Sequence, residues 1–312
     1  MTAKKWTRAV SIIILIMALL LVSISFFYCH DLFSRFQSMG RVFAGQEITT
    51  ASLLGAHDTK PTTILLYGID AGEFAEDTYR DRPGNADTII LIRACPVSGK
   101  AALLSISRDT LVEIPGSARE DRIGHAHAQG GAGLLVDTVK NFTGVPIDGH
   151  IGLNYISFKG IVDFLGGVEF DVDREMEERG ITLYPGKQVL DGDQAFALIS
   201  FRKGEGDIGR VRRQQRFMEA VFKTVRQKPI DDIFYLTASM WQKVETDLGL
   251  TEFIGLQQQF SGITEEDIRM AAIPGTSIYR GGTNYLQPDE AVAARLIEEM
   301  FPSPVEEGAA SR

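Results

Sequence analysis

An α/β fold, with a mixed central β-sheet sandwiched by helices and preceded by one transmembrane helix, is what this sequence predicts. Three observations carry that expectation. Short β-branched runs alternate with segments of helical period along most of the chain. A turn-rich connection between two of those runs calls for an antiparallel hairpin. A long charge-free stretch near the N-terminus stands apart from everything after it.

The charge-free stretch comprises residues 9–29, between Arg8 and His30, and is dominated by Ile, Leu, Val and Phe. At about 1.5 Å per residue it spans roughly 31 Å, one bilayer crossing. Lys4, Lys5 and Arg8 precede it, so residues 1–8 are expected in the cytoplasm and the remainder outside, on a single-pass cell-membrane protein. A cleaved signal peptide is the alternative. Its apolar region is usually about 7–15 residues followed by small residues, whereas this run ends in Phe26-Phe27-Tyr28. The same bulky residues do not resemble a lipid-attachment box at Cys29, and Cys95 is the only other cysteine, so neither a disulfide framework nor a zinc ribbon is expected.

Residues 30–60 have mixed polarity without a sustained period and read as an extracellular stalk. The folded domain then covers 61–300, and 301–312 reads as a polar, disordered tail. Inside the domain, Thr62–Gly68, Thr88–Arg93 and Ala101–Ser107 are strand-like, with Pro96 to Lys100 as the turn between the last two. Helical patterns follow near 132–142, 157–165 and 191–199, with strands near 149–153 and 168–172. A longer helix opens after Gly209. Beyond Pro229 come helices near 231–244, 251–260 and 288–299 and a strand near 269–273, without internal repeats.

The 312 residues are 44% hydrophobic and 23% charged, enough to build a full-sized core. The net charge of −9 argues against a general nucleic-acid binder. Its distribution points elsewhere: residues 200–228 hold nine Lys or Arg and three Asp or Glu, leaving −15 for the rest. A concentrated basic segment in an acidic chain suggests a specific anionic ligand, or else a solvated helix face.

If the chain runs up, down and up through its first three strands, Asp70, Asp87 and Arg108 emerge at one sheet edge. Two carboxylates and an arginine there suit a divalent cation held against a phosphate; turn capping by Asp70 and Asp87 is the competing explanation. In the basic segment, Val211, Phe217, Met218, Val221, Phe222 and Val225 form one apolar arc that also contains Arg210 and Gln214. Arg212, Arg216, Lys223 and Arg226 fall opposite and read as solvated. An inward arginine needs an anion, since an uncompensated buried charge costs about 3–5 kcal/mol. A phosphate at the helix N-terminus and a structural partner such as Asp207 are the two candidates. Arg202, before the glycine-rich loop, either approaches the same ligand or is an ordinary exposed arginine.

Gly204-Glu205-Gly206-Asp207-Ile208-Gly209 formally matches a dinucleotide fingerprint, but no opening βαβ strand precedes it. His125 and His127 alternate like residues on one strand face, and with His150 they form a weak zinc pattern against the simpler reading of loop or core histidines. Neither a P-loop nor a nucleophile elbow is present, and nothing favours covalent serine or cysteine catalysis.

Over about positions 61–300 the chain resembles the LytR-CpsA-Psr family. The resemblance rests on an ordered series: Gly68 and Asp70; Ala86-Asp87-Thr88; Ser107-Arg108-Asp109-Thr110; Asp121-Arg122-Ile123; Val162-Asp163 with Gly166-Gly167; and Gly209-Arg210 with Arg213-Gln214-Gln215. It implies a mixed sheet between helices, an apolar pocket for a polyprenyl tail, and a polar mouth for its pyrophosphate. By resemblance Asp70 and Asp87 sit near Mg²⁺, while Arg108, Arg202 and Arg210 hold phosphate oxygens. Gln214 supports them and Arg122 lies near the mouth. The implied enzyme is an Mg²⁺-dependent phosphotransferase that moves a glycosyl phosphate from the carrier to peptidoglycan or another wall acceptor, with Asp87, Arg108 and Arg210 catalytic. Hydrolysis of the same lipid, or regulatory binding without turnover, are the alternatives. Two departures matter: Asn85 and Ser200 stand where many members carry arginines, and Arg80, Arg82 or Lys203 are candidate substitutes.

Overall fold

The computed structural model describes residues 60–70, 84–201, 206–229, 243–249 and 263–302, with isolated positions between 232 and 259. The expected cytoplasmic segment, membrane anchor and most of the stalk therefore lie outside the described residues, as do Arg80, Arg82, Arg202, Lys203 and most of the two helices expected within 231–260. Among the described residues, no helix is long and apolar enough to cross a membrane.

The first three strands, β1 (Thr62–Asp70), β2 (Asn85–Cys95) and β3 (Lys100–Ile106), form the antiparallel meander that the β-branched runs and the turn before Lys100 require. A small hairpin, β4 (Leu111–Glu113) with β5 (Glu120–Arg122), leads into α1 (His125–Thr143). Strand β6 (Gly149–Leu153) then pairs parallel to β1, and α2 (Tyr155–Phe164) comes next, started by a reciprocal capping box between Asn154 and Ser157. After it lie β7 (Val168–Val172), the β8 (Met176–Glu178) and β9 (Ile181–Leu183) hairpin, and β10 (Gly186–Leu190), which returns to pair with β7. Helix α3 (Gly192–Ser200), capped by Asp191 and Gln194, precedes the long α4 (Gly206–Arg226). The chain closes with β11 (Glu245–Thr246), β12 (Ile268–Ala272), the hairpin β13 (Gly275–Arg280) and β14 (Thr283–Pro288), and α5 (Glu290–Met300).

Among the described residues, six strands make the central sheet, in the order β11-β6-β1-β2-β3-β12. The β1–β6 and β3–β12 pairs are parallel and the others antiparallel, so the sheet is mixed. Strand alternation divides its side chains cleanly. Leu65, Tyr67, Ile89, Leu91 and Leu104 enter the core shared with α1 and the end of α5, whereas Leu66, Ile90, Ile92 and Leu103 meet Met218 and Phe222 of α4 on the other face. A second core lies beyond α4, where Phe158, Val168, Phe170, Leu190, Leu198 and Phe217 pack together. Helix α4 thus has two apolar flanks, one for each core.

Two local features position the strand ends near Asp87. The β1–β2 register shifts between Gly68, opposite Thr88, and Ile69, opposite Ala86, so Asp87 is the extra residue of a bulge. A bulge bends the strand and re-aims the side chain it carries. Next to it, the Ala86 N–H donates to the Gly124 carbonyl at 2.9 Å, and the Gly124 N–H donates to the Arg108 carbonyl at 3.0 Å. A Cβ on Gly124 would stand 2.5 Å from the Ala86 carbonyl oxygen and 3.1 Å from the Arg108 Cβ, so only glycine fits.

Four expectations are corrected. Helix α4 begins at Gly206, not after Gly209, so Arg210 sits beyond its first turn; the cost of Gly209 within the helix, about 0.5–1 kcal/mol, is outweighed by the burial of the helix's apolar flanks. His125 and His127 are on the first turns of α1, not on a strand, and Gly130 and Gly131 interrupt that helix where its expected start lay. Strand β2 begins at Asn85, so Asp87 lies within the strand. Packing also reaches past residue 300: Phe301 is buried, and Arg93 stacks on its ring and donates to the Pro302 carbonyl at 2.8 Å.

Replacing Gly124 by alanine is expected to destabilise the domain by about 1–3 kcal/mol, the usual cost of overpacking. A lowered urea midpoint at unchanged slope is the expected result, and Gly133→Ala, where an added Cβ meets nothing within 4 Å, is the matched control.

Candidate functional site

A cavity of about 410 Å³ opens between the β1–β2 face of the sheet and helices α2, α3 and α4. Much of its lining is apolar: Leu66 and Ile90 from the sheet, Phe158 from α2, Phe196 from α3, and Phe217 and Met218 from α4. Arg210 and Gln214 line it from the same face of α4 as Phe217 and Met218, at the spacing i, i+4, i+7, i+8 that keeps side chains on one helical stripe. Asp87 and Thr88 line it from the bulged end of β2. The charge-bearing and the apolar lining therefore belong to one space.

Arg210 is 2% exposed, so the inward angle read from the helical period is the angle it adopts. Gln214 donates to the Thr88 hydroxyl at 3.1 Å, joining α4 to the strand that carries Asp87. Arg108, from the turn after β3, places Nη1 2.5 Å from Asp87 Oδ1. Asp109 continues this line of charge, with Oδ2 3.8 Å from Arg108 Nε and Oδ1 3.2 Å from Arg122 Nε. Alternating signs hold each guanidinium and carboxylate in the orientation set by the next.

The structure brings together Asp87, Arg108, Arg210 and Gln214. Asp70 ends β1 opposite Asn85, two residues from Asp87 across the bulge. Arg122 is placed differently from the expectation of a group at the mouth: it donates to the Asn284 carbonyl through Nε and Nη2, at 3.0 and 2.7 Å, and its guanidinium covers Tyr285. It ties β5 to β14 and reaches Asp87 only through Asp109 and Arg108. Arg202 lies outside the described residues. Ser200 lines the cavity, and Asn85 is exposed at the start of β2.

Two charged cavity residues escaped sequence reasoning. Glu178 and Arg179 reach the rim from the β8–β9 turn, where Arg179 adopts φ +53° and its guanidinium lies 5.0 Å from the centre of the Phe196 ring. Ser200 is one helical turn after Phe196 on α3, so Arg179 approaches the wall beside it. The only signal was Gly180 after a charged pair, an ordinary turn. Beside this rim the Tyr155 hydroxyl donates to Asp193, which also receives Lys159 Nζ at 2.7 Å. Lys159 holds the Asp193 carboxyl below the usual carboxylate range, with the Tyr155 hydroxyl assisting.

Neighbouring arginines have structural duties that the helical wheel did not separate. Arg213 is buried; its Nε donates to the Leu198 carbonyl at 2.7 Å and its Nη2 to the Phe201 carbonyl, fastening α4 to the end of α3. Arg216 keeps the solvent exposure expected of it while stacking over Phe170 at 4.9 Å and donating to the Asp171 carbonyl at 2.8 Å. The histidines also have protein partners: His125 meets Asp121 at 2.9 Å, and His127 meets the Gly84 carbonyl and Glu245.

With this geometry in view, the LytR_cpsA_psr family model matches residues 33–301. The chain belongs to the LytR-CpsA-Psr family. Among LytR-CpsA-Psr relatives, the polyisoprenyl-teichoic acid–peptidoglycan teichoic acid transferase TagU of Halalkalibacterium halodurans is 35% identical over 244 residues, 77% of this chain and 78% of the relative. The TagU of Enterococcus faecalis is 28% identical over 267 residues, 85% and 86% of the two chains. A crystal structure of Bacillus subtilis TagV superposes with a TM-score of 0.69 at 29% identity, covering 78% of this chain and 98% of that one. The mixed sheet between helices is thus the architecture of this family.

The contrast between adjacent arginines is testable. Arg213→Ala removes a donor from two carbonyls and is expected to cost about 1–3 kcal/mol or more of stability, read as a lowered denaturation midpoint. Arg212→Ala, on the exposed side, is expected to leave the midpoint within about 0.5 kcal/mol.

Proposed function

We propose that this protein transfers a glycopolymer, as a glycosyl phosphate, from a polyprenyl-pyrophosphate carrier to a hydroxyl of peptidoglycan or another wall glycan. One observation carries the reading: a single cavity is lined both by apolar side chains and by Arg210, Gln214 and Asp87. An amphiphile with an anionic head matches both halves. The relatives' names describe a polyisoprenyl-linked donor and a peptidoglycan acceptor, which supports the same assignment.

On this reading the prenyl tail lies among Leu66, Ile90, Phe158, Phe217 and Met218, with its pyrophosphate against Arg210 and Gln214. The acceptor oxygen attacks the phosphorus that bears the sugar, a new P–O bond forms, the bond to the carrier phosphate breaks, and polyprenyl phosphate leaves. Positioning and charge neutralisation do most of the work, as in phosphoryl transfer generally. Arg210 and Arg108 stabilise charge developing on the phosphate oxygens, and Arg179 adds a guanidinium at the rim near Ser200.

Asp87 and Asp70 suit Mg²⁺ by donor type: both are hard carboxylates, Asp87 lines the cavity, and phosphate oxygens complete the usual coordination. When bound, Mg²⁺ would neutralise pyrophosphate charge. The alternative duty for Asp87 is to accept the proton of the attacking hydroxyl. The charge-free run at residues 9–29, with Lys4, Lys5 and Arg8 before it, supports a single-pass protein whose folded domain faces outward.

Lipid extraction of the purified protein should yield a polyprenyl phosphate or pyrophosphate by mass spectrometry. In the functional test, the full chain should move a radiolabelled glycosyl phosphate from a polyprenyl carrier onto isolated peptidoglycan. Arg210→Ala should lower the rate by about 10²-fold or more, with Arg212→Ala near wild type. Label released only as free sugar phosphate would establish hydrolysis, and lipid binding without turnover on any wall acceptor would establish a binding protein.

Calorimetric titration with a polyprenyl pyrophosphate separates the duties open to Asp87. Mg²⁺ should strengthen binding in the wild type, and Asp87→Ala should remove most of that gain while leaving the fold intact. Equal affinities with and without the ion would reject the metal role.

A further inference from the structure

On the side of Tyr67 away from the cavity, four elements gather a set of ionisable groups that the transfer reaction does not use. His127 of α1 is 3% exposed. Its Nδ1 lies 2.7 Å from the Gly84 carbonyl and its Nε2 lies 3.0 Å from Glu245 Oε2 of β11. Tyr67 of β1 sits between the histidines, its ring centre 5.3 Å from that of His127 and 5.8 Å from that of His150 on β6. The Tyr67 hydroxyl is 3.2 Å from His150 Nδ1, and Glu245 acts on the same hydroxyl, helping to push its pKa up. Asp247 completes the set, with Oδ1 3.7 Å from His150 Nε2. His125, the other histidine of α1, is engaged separately by Asp121. Space here is closely filled: a Cβ on Gly152 would stand 2.6 Å from the Tyr67 ring.

Hydrogen-bond chemistry favours a charged His127. A carbonyl oxygen only accepts, so Nδ1 carries a proton; an ionised carboxylate only accepts, so Nε2 carries one as well. A ring that donates from both nitrogens is an imidazolium. The alternative, a protonated Glu245 donating to a neutral ring, is disfavoured because the His127 hydrogen bond holds the Glu245 carboxyl below its ordinary value, against the opposing effect of burial. For His127 itself burial works against the charge, but the bonds to Glu245 and Gly84 and the Glu245 charge outweigh it and raise the pKa above 6.5.

What the imidazolium holds is the entrance to β2. Gly84 immediately precedes that strand, and two residues later the Ala86 N–H is held by the Gly124 carbonyl. The start of α1 therefore grips β2 on both sides of Asn85, one residue short of the bulge that aims Asp87. We propose that His127, kept as an imidazolium by Glu245, is a positioning residue that pins the start of β2, so that the placement of Asp87 depends on a proton. Its consequence for catalysis rests on the transfer reading above; the clamp itself does not.

The sign of the pH dependence comes from both partners. His127 has a raised folded pKa, so its contribution is complete below pH 6.5 and is lost as pH rises through the higher folded value. Glu245 has a lowered folded pKa, so its contribution is present above pH 4.5 and is lost as pH falls through the lower folded value. The clamp is closed between those limits and opens on either side, by loss of the His127 proton above and by protonation of Glu245 below. Tyr67 stays protonated throughout, because burial and the Glu245 charge push its hydroxyl far up.

The test uses the full chain in detergent, with nitrogen-15 histidine, and His127→Gln to assign the resonance. The His127 ring should carry both protons on the acid side and lose one with a midpoint above pH 6.5. In Glu245→Gln, a change at a side chain 42% exposed, that titration should move down by about one pH unit or more. Hydrogen exchange of the peptide covering residues 84–88 should lose about tenfold in protection as His127 deprotonates, and in Glu245→Gln that loss should come at lower pH. A His127 midpoint at or below pH 6.5 in the wild type, or protection at 84–88 that ignores the His127 titration, would overturn the proposal. If both readouts follow the titration but wild-type protein moves no label to any acceptor, the clamp stands and the transfer reading fails.

Discussion

The mouth of the cavity depends on a contact with no side chain in it. At Gly124 the backbone of α1's entrance lies so close to Ala86 and Arg108 that two hydrogen bonds form and a methyl group has no place. That contact sets the distance between the bulged end of β2 and the turn after β3, and thereby lets Arg108 reach Asp87. A salt bridge between two partly exposed side chains contributes little to stability by itself. Its geometry is inherited from backbone that is already fixed, which is how a site built on strand ends keeps its angles.

Beyond the mouth, the chain divides labour among similar residues by where the backbone puts them. Arg210 and Arg213 are three residues apart on α4 and both are buried. Arg213 turns to carbonyls at the end of α3 and holds two helices together, while Arg210 faces the cavity. Arg122 shows the same principle on β5, spending its guanidinium on the Asn284 carbonyl and the Tyr285 ring. Charge alone assigns none of these roles.

Much of this architecture was legible from residues alone, and the reasons are physical. The three-strand meander, β6, β7 and α3 follow from β-branched runs, turn residues and caps acting over short distances. Arg210 and Gln214 could be placed inward because a 21-residue helix gives the period room to declare itself. Strands of three residues such as β4, β5, β8 and β9 gave no period to read, and Arg179 reached the rim through tertiary placement of the last pair. The β13–β14 hairpin was a different kind of miss. Gly281 and Gly282, both with positive φ, form the two-residue turn that such hairpins favour, so the signal was present. The duties of Arg122 and His127 depend on partners 162 and 118 residues away, which no local pattern encodes.

Helix α4 is seated on two cores at once, with Phe217 in one and Met218 and Phe222 packed against the other. A helix gripped on both flanks behaves as a fixed beam: swinging it outward to admit a bulkier guest would strip contacts from two interiors together. Adjustment is left to the side chains that project from it. Met218, with its flexible thioether, is the adaptable member of the lining, and the Phe217 ring is the stiff one. The bore of the cavity is therefore set by rotamers, and variation at position 218 can change how much chain it accepts without disturbing the frame that holds Arg210.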